Sequence, residues 1–355
     1  MSGSQWYPPP GHDPSGRPPP PGWRPSPTAG PPAPPGWAPG MLGAAHKPGA
    51  MPLRPLGLGD VYDAAFRIIR FNPRATVGSA VLVAAVAMAI PLLATAALTL
   101  TVDLSAEMSE DTADAVGGLT ALAALGTGAV LQYVGLIFVT GMIAHVTAAA
   151  AIGRRLTLGE AWAATRGCRW RLVGLTLLIA LIWLVLLAAY VVASVVVIMS
   201  TSSWVLPAVW FVLTAPVGIA LAAWLWIRLT YLAVPALMVE RTRVLAGLGR
   251  AVALTRRQFW RTFGIALLTL VVTSVAAQVL TVPFGILGSV LGLVVDDAGV
   301  AFLLLMLANA LGTVVSTAFV APFTAAVTSL QYLDQRIRKE AYDVELMTQA
   351  GITAP

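Results

Sequence analysis

Six stretches of this chain, roughly 77–101, 117–152, 172–199, 205–239, 262–295 and 299–333, each hold at least eighteen consecutive residues free of Asp, Glu, Lys and Arg. A helix rises about 1.5 Å per residue, so each stretch is long enough to cross a hydrocarbon core roughly 30 Å thick. The composition agrees: 57% hydrophobic residues, 11% charged residues and a mean hydropathy of +0.80 lie outside the soluble range. The expected fold class is an all-α polytopic membrane protein with six transmembrane helices.

The connections between the stretches predict an orientation. The first and second are joined by "VDLSAEMSEDTAD", with five acids and no base, the third and fourth by "STSSW", and the fifth and sixth by Asp296 and Asp297. The alternate connections hold Arg154, Arg155, Arg166, Arg169 and Arg171, then Arg241, Arg243, Arg250, Arg256, Arg257 and Arg261. Counting both termini, every Lys or Arg except Arg228 falls on one side, which the positive-inside rule makes cytoplasmic. Both termini are therefore expected inside. Arginine outnumbers lysine twenty to two, with only two asparagines, a bias that looks like a high-GC bacterial genome and points to a bacterial inner membrane. The first fifty residues place proline and glycine where a cleavable signal needs an apolar core, so the first membrane helix is expected to serve as the insertion signal. The lone Cys168 then faces a reducing compartment and reads as a packing residue.

Three stretches align without gaps: "AFRIIRFNPRATVG" (65–78), "AWAATRGCRWRLVG" (161–174) and "AVALTRRQFWRTFG" (251–264). Arg70, Arg166 and Arg256 fall in register, and Trp170 matches Trp260. Upstream stand "LGLGD", "LTLGE" and "LAGLGR", a helix-start pattern whose acid, in the first two copies, suits the positive end of the helix dipole. Each unit is expected to be a short amphipathic helix followed by a membrane hairpin. The 57–333 domain then divides into units of about 57–152, 153–239 and 240–333. In each unit the aromatics suit the headgroup boundary while arginines face water and the anionic inner leaflet. Arg70, Arg74, Arg166, Arg169, Trp170, Arg171, Arg256, Arg257, Trp260 and Arg261 are the expected interfacial anchors, holding either anionic lipid in general or a particular headgroup.

Residues 1–56 carry eighteen of the 26 prolines, with "PPPPGWRP" and "PPGWAPG" as imperfect copies, and are expected to form a disordered Pro/Gly-rich arm, either a partner-docking element or a solvated spacer. At the other end, 334–355 is expected to be a cytoplasmic helix and tail, solvated or docking a protein. Its i,i+4 pairs would be Asp334–Arg338, Arg336–Glu340 and Lys339–Asp343.

At the aligned stretches and again at "APFTAAVTSLQYLDQRIRKEAYDVEL" (321–346), the chain resembles actinobacterial proteins carrying the glycerophosphoryl diester phosphodiesterase membrane domain. The residues concerned are Arg256, Phe259, Trp260 and Arg261 in an R-x-x-FWR connection, and Tyr332, Asp334, Arg336, Arg338 and Glu340 in a YxDxRxRxE segment. The resemblance covers roughly 53–347 and implies a membrane domain of the kind found beside a catalytic domain. A catalytic barrel of that type needs paired histidines and several carboxylates. This chain has three histidines, His12, His46 and His145, and no carboxylate inside an apolar stretch. The enzymatic name is therefore not carried over. No metal, cofactor or nucleic-acid partner is expected.

Arg228 is the only basic residue inside an apolar stretch, where an arginine near the bilayer centre costs about 2.5–3.5 kcal/mol on insertion scales. A span over 206–227 would leave it at the interface; a span shifted toward Val239 would bury it and make it a candidate for an anionic ligand. The second helix of each unit is overlong, with His145, Pro235 and Pro322 at equivalent points. Bends at Pro235 and Pro322 would open a cavity bounded by His145 and Arg228; alternatively the helices tilt or project. His145 is otherwise a hydrogen-bonded bundle residue. Gly126, Gly128, Gly135, Gly141 and the "GSVLG" of 288–292 suit close helix packing, and Gln132, Gln278 and Asn309 suit hydrogen bonds between helices.

Two functions follow as expectations. The first is a non-enzymatic scaffold or accessory module in the cell membrane, binding anionic lipid and cytoplasmic partners. The second is a transporter or lipid-handling module whose cavity uses Arg228.

Overall fold

The computed structural model describes residues 49–102 and 110–351. The proline-rich arm through residue 48 and most of the acidic connection after Val102 lie outside the described residues. A short helix followed by a long hairpin occurs three times. The elements are α1 (Leu58–Phe71), α2 (Pro73–Val102), α3 (Glu110–Ala151), α4 (Leu158–Ala164), α5 (Arg169–Met199), α6 (Val205–Leu225), α7 (Ala233–Glu240), α8 (Val244–Thr255), α9 (Phe259–Val294), α10 (Ala298–Glu340) and α11 (Tyr342–Gln349). A π-helical turn, Trp226–Tyr231, links α6 to α7. Six helices, counting α6 through α7 as one, are long and apolar enough to cross a membrane, so the protein is a polytopic all-α membrane protein.

The aligned stretches share a helix start and a pattern of burial. The first membrane helix of each unit begins at the same alignment position: Pro73, Arg169 and Phe259. Ala65, Ala161 and Ala251 are all buried, as are Thr76, Leu172 and Thr262, whereas Arg70, Arg166 and Arg256 are all exposed. The short helices owe their docking to period. In α1, Val61, Ala64, Ala65 and Ile68 are buried at helical spacing while Asp63, Phe66, Arg67 and Arg70 face out. Asp60 accepts a hydrogen bond from the Gly57 amide (3.0 Å), and Glu160 accepts from the Thr157 amide (2.7 Å), so both expected acids cap their helices. The third unit differs: α8 starts at Val244, so the glycines of "LAGLGR" lie inside the helix rather than before it. Gly247 is accommodated there because it abuts Leu237 of α7.

The packed core sits at the arginine-rich end, which we term the basic end. One cluster unites α1 (Val61, Ile68), the end of α3 (Ile143, Ala150), the start of α5 (Leu172, Leu175), α7 (Leu237, Met238), α8 (Leu254) and α10 (Leu330, Tyr332). Helix α10 is its stem, packing against α1, α2, α3, α7, α8, α9 and α11. At 43 residues it measures about 65 Å, twice a hydrocarbon core, so its last turns project beyond the membrane. That length explains a difference from the expectation that 334–340 is solvated: Leu333, Asp334, Gln335 and Ile337 are buried. The expected Asp334–Arg338 and Arg336–Glu340 pairs form, at 3.0 Å each. The Lys339–Asp343 pair does not, because Ala341 adopts a left-handed conformation (φ 52°) that ends α10 between the two residues.

A second difference concerns the arm, expected to be disordered through residue 56. Residues 49–56 are instead docked: Met51, Leu53 and Leu56 are buried, and the Ala50 amide donates to the Ala150 carbonyl at 2.8 Å. A Cβ on Gly49 would overlap the backbone of Ala150, Ala151 and Gly153, so glycine is required for this approach.

Toward the opposite end the bundle thins. Helix α6 buries no residue, and the hairpin α5–α6 is pinned by two polar contacts, the hydroxyls of Tyr190 and Thr214 at 3.2 Å and Trp210 Nε1 donating to Ser194 Oγ at 3.1 Å. In hydrocarbon, where apolar surface gives no drive to associate, such contacts and small residues hold helices together. Gly135 fits that expectation, since a Cβ there would overlap Val83 of α2, and so does Gly288 against Ala308 (2.8 Å), whereas nothing approaches Gly126 within 4 Å. Asn309 departs from it, because its side chain donates to Leu305 O of its own helix.

Candidate functional site at the basic end

Two polar knots hold the basic end together. In the first, Asp334 of α10 accepts hydrogen bonds from the Leu56 amide (2.7 Å), from Arg338 Nε (3.0 Å) and from Arg261 of α9. Arg261 and Arg338 both also donate to the Leu56 carbonyl. One buried carboxylate thus ties the N-terminal segment to the start of α9 and the end of α10. In the second, Glu240 at the end of α7 accepts from Arg250 Nε (2.8 Å) and from the Tyr332 hydroxyl (2.6 Å), while Arg250 also binds Glu340. Arg336 pairs with Glu340 and lies 3.7 Å over the Tyr342 ring. Glu240, Gln331 and Gln335 carry no signal in the sequence, since a polar residue at the end of an apolar run shows nothing of the partner it meets; Gln331 donates to the Tyr231 hydroxyl at 2.8 Å.

The expected anchors divide into two groups. Arg70, Arg74, Arg166, Arg256 and Arg257 are exposed, as are Trp170 and Trp260 at 84% and 78%. The others are turned inward. Arg261 serves the Asp334 knot, Arg171 donates to the Arg241 carbonyl at 2.7 Å, and Arg169 bonds Thr165 while stacking over Trp162 at 4.2 Å. Phe259 and Phe263 stack with centroids 5.7 Å apart behind Trp260.

Of four cavities among the described residues, none is lined by both His145 and Arg228. His145 lines a cavity of about 590 Å³ together with Arg154, Glu160, Glu240, Arg336 and Glu345, covered by α11, and Arg228 is not among its lining residues. The His145 Nδ1 is buried without a hydrogen-bond partner. Glu160, on the cavity rim, is held below the usual carboxylate range by the Thr157 amide and hydroxyl.

Arg228 stands in the π-helical turn, which packs against α8. The 21 residues of α6 before it suffice for a span. The break in this segment falls at 226–232, ahead of Pro235, which occupies the first turn of α7 where no amide partner is required. Around Pro322 the helix α10 continues without interruption. Among the described residues no group of three His, Cys, Asp or Glu is placed to hold a metal. No family model, curated protein or solved structure matches the chain.

Proposed function

We propose that this is a non-enzymatic multi-pass protein of a bacterial inner membrane, with the basic end and both termini in the cytoplasm, acting as an accessory module or scaffold that grips anionic lipid and presents its termini to cytoplasmic partners. The observation that carries this reading is the exposed set of Arg70, Arg74, Arg166, Arg256, Arg257, Trp170 and Trp260 at the starts of the three hairpins, where arginine meets phosphate and tryptophan meets the headgroup boundary. The resemblance to a membrane domain found beside catalytic domains agrees with an accessory role.

Extraction of the tagged protein in native lipid discs, followed by mass spectrometry of co-purifying lipids and proteins, tests it. Enrichment of anionic lipid over the bulk membrane, with a stoichiometric protein lost on truncating either terminus, is the expected result. Lipid at bulk composition and no protein partner would overturn it. One observation favours the second reading, a transporter or lipid-handling module: the Arg228 guanidinium has no hydrogen-bond or ion-pair partner among the described residues. Movement of labelled lipid across vesicles holding the purified protein would select that reading.

A further inference from the structure

We propose that the groove between α2 and α3, beneath α4, holds one acyl chain of a membrane phospholipid, with Arg169 at its mouth to meet the lipid phosphate. The inference rests on the reading of the basic end as the headgroup level and adds a built site to the exposed anchors.

The groove is a cavity of about 560 Å³, within the size range of small-molecule sites. Leu82 and Val86 of α2 and Leu131 and Val134 of α3 form its walls, and Trp162 of α4 stands at its basic end. Ser79 brings the only hydroxyl to the lining, and that hydroxyl already donates to the Thr76 carbonyl at 2.9 Å. The lining therefore offers an occupant apolar contact and almost no hydrogen bonding. Along α3 it runs from Met142 to Leu131, about 16 Å at a rise of about 1.5 Å per residue. That is about half of a 30 Å hydrocarbon core, the depth of one leaflet of chains.

The second unit shows the same place filled by the protein itself. Carrying the repeat alignment forward puts Ile179, Ile182 and Leu225 where the first hairpin has Val83, Val86 and Gly135. Those three larger residues line a cavity of only about 10 Å³, room for no more than a water. Trp183 in place of Ala87 and Trp224 in place of Val134 add further bulk. An unfilled void forfeits the dispersion contacts of its lining, and packed helices rarely keep one of this size. The first hairpin thus holds open, with small residues, a space that the second closes with large ones.

The charge at the mouth differs in the same sense. Trp162 lies beside Phe138 of the groove wall, ring centroids 6.2 Å apart, and Arg169 stacks over Trp162 at 4.2 Å. Arg169 Nε donates to Thr165 Oγ1 (3.0 Å) and Nη2 to the Trp162 carbonyl (3.2 Å). Among the described residues its Nη1 has no bond and no carboxylate pairs with it. A positioned, unneutralised guanidinium at the open end of an apolar groove matches a phosphate above an acyl chain. In the third unit, whose α8 packs against the second hairpin, the residues aligned with Trp162 and Arg169 are Val252 and Phe259. Where the groove is closed, the aligned pair carries no charge.

Full-length protein would be placed in nanodiscs of phosphatidylcholine doped with phosphatidylcholine or phosphatidylglycerol bearing a photoreactive group in one acyl chain, and cross-linked peptides mapped. Wild type is expected to carry adducts on 131–142 well above the level on α6, which buries no residue and samples bulk lipid. Val134→Trp and Ser79→Leu each introduce the larger residue of the second unit. Both should cut the 131–142 adducts about tenfold, with α6 labelling and thermal stability intact. Arg169→Phe, copying the third unit, should lower the same adducts of both probes about tenfold, the effect of losing one hydrogen bond to a charged group. Adducts on 131–142 no more frequent than on α6, or unchanged in both filling variants, would overturn the site. A protein segment cross-linked there in place of lipid would overturn it as well. Loss in the filling variants without loss in Arg169→Phe would overturn the phosphate contact. Equal labelling by the two probes would support the chain site while counting against the anionic-lipid reading of the basic end; phosphatidylglycerol enriched around the protein, with no excess on 131–142, would do the reverse.

Discussion

Asp334 shows how one side chain can organise three chain segments. It is 1% exposed, while its partners Arg261 and Arg338 are 27% and 29% exposed, so the pair is buried on the acid's side only. Removing one member of a buried pair strands the others, and Asp334→Ala should lower stability by about 3 kcal/mol, the low end for such changes; heat-induced loss of monodispersity in detergent would measure it. An unchanged midpoint would mean that water already serves the arginines. Gly135→Ala should cost about 1–3 kcal/mol by overpacking against Val83, whereas Gly126→Ala, with nothing within 4 Å, should be neutral in the same assay. The i,i+4 partner of Asp334 was legible in the sequence. Its partners Leu56 and Arg261, 278 and 73 residues away, were not, because periodicity reports the face of a helix and not what that face meets.

Among the elements, the short helices and the docked N-terminal segment carry the testable consequences. The Thr157–Glu160 cap depresses the Glu160 carboxyl from its ordinary 4.5. Its stabilisation of α4 is therefore complete above that value and is lost as pH falls through the lower folded value. Hydrogen exchange in α4 should accelerate on acidification below about pH 4.5, while the same segment in Thr157→Ala should exchange faster already at neutral pH. Truncation divides the arm: removal of residues 1–48 should leave thermal stability unchanged, and removal of 1–56 should lower it by taking away Met51, Leu53 and Leu56. Equal stability of the two truncations would refute the docking. The boundary was misplaced from sequence because "GAMPLRPL" keeps the prolines of the arm; its three large apolar residues are too few to mark an element by period. The membrane helices were legible throughout, since an apolar run of this length has few other fates.

At the scale of the molecule, the hairpins differ in how far they share the core. The most apolar windows of α5 and of the α6–α7 span are 6% and 0% buried, against 56% for α3, so the second hairpin is left uncovered over those windows while Leu172, Leu175, Leu237 and Met238 at its basic end join the core. Ser194→Ala, which strands Trp210 Nε1, should loosen it by about 0.6 kcal/mol, visible as faster proteolysis of the 200–204 loop with the remainder intact. The packed core lies at the basic end, and binding of anionic lipid there requires that end to face the anionic leaflet. The most direct test uses the single native cysteine, Cys168, which is buried and so leaves introduced cysteines to report alone. Ser202→Cys and Asp296→Cys should react with a membrane-impermeant maleimide in intact spheroplasts, and Arg166→Cys and Glu345→Cys only after permeabilisation. The reverse pattern would place the arginines outside and contradict the account; labelling of one member of each pair from each side would contradict the six-span topology itself.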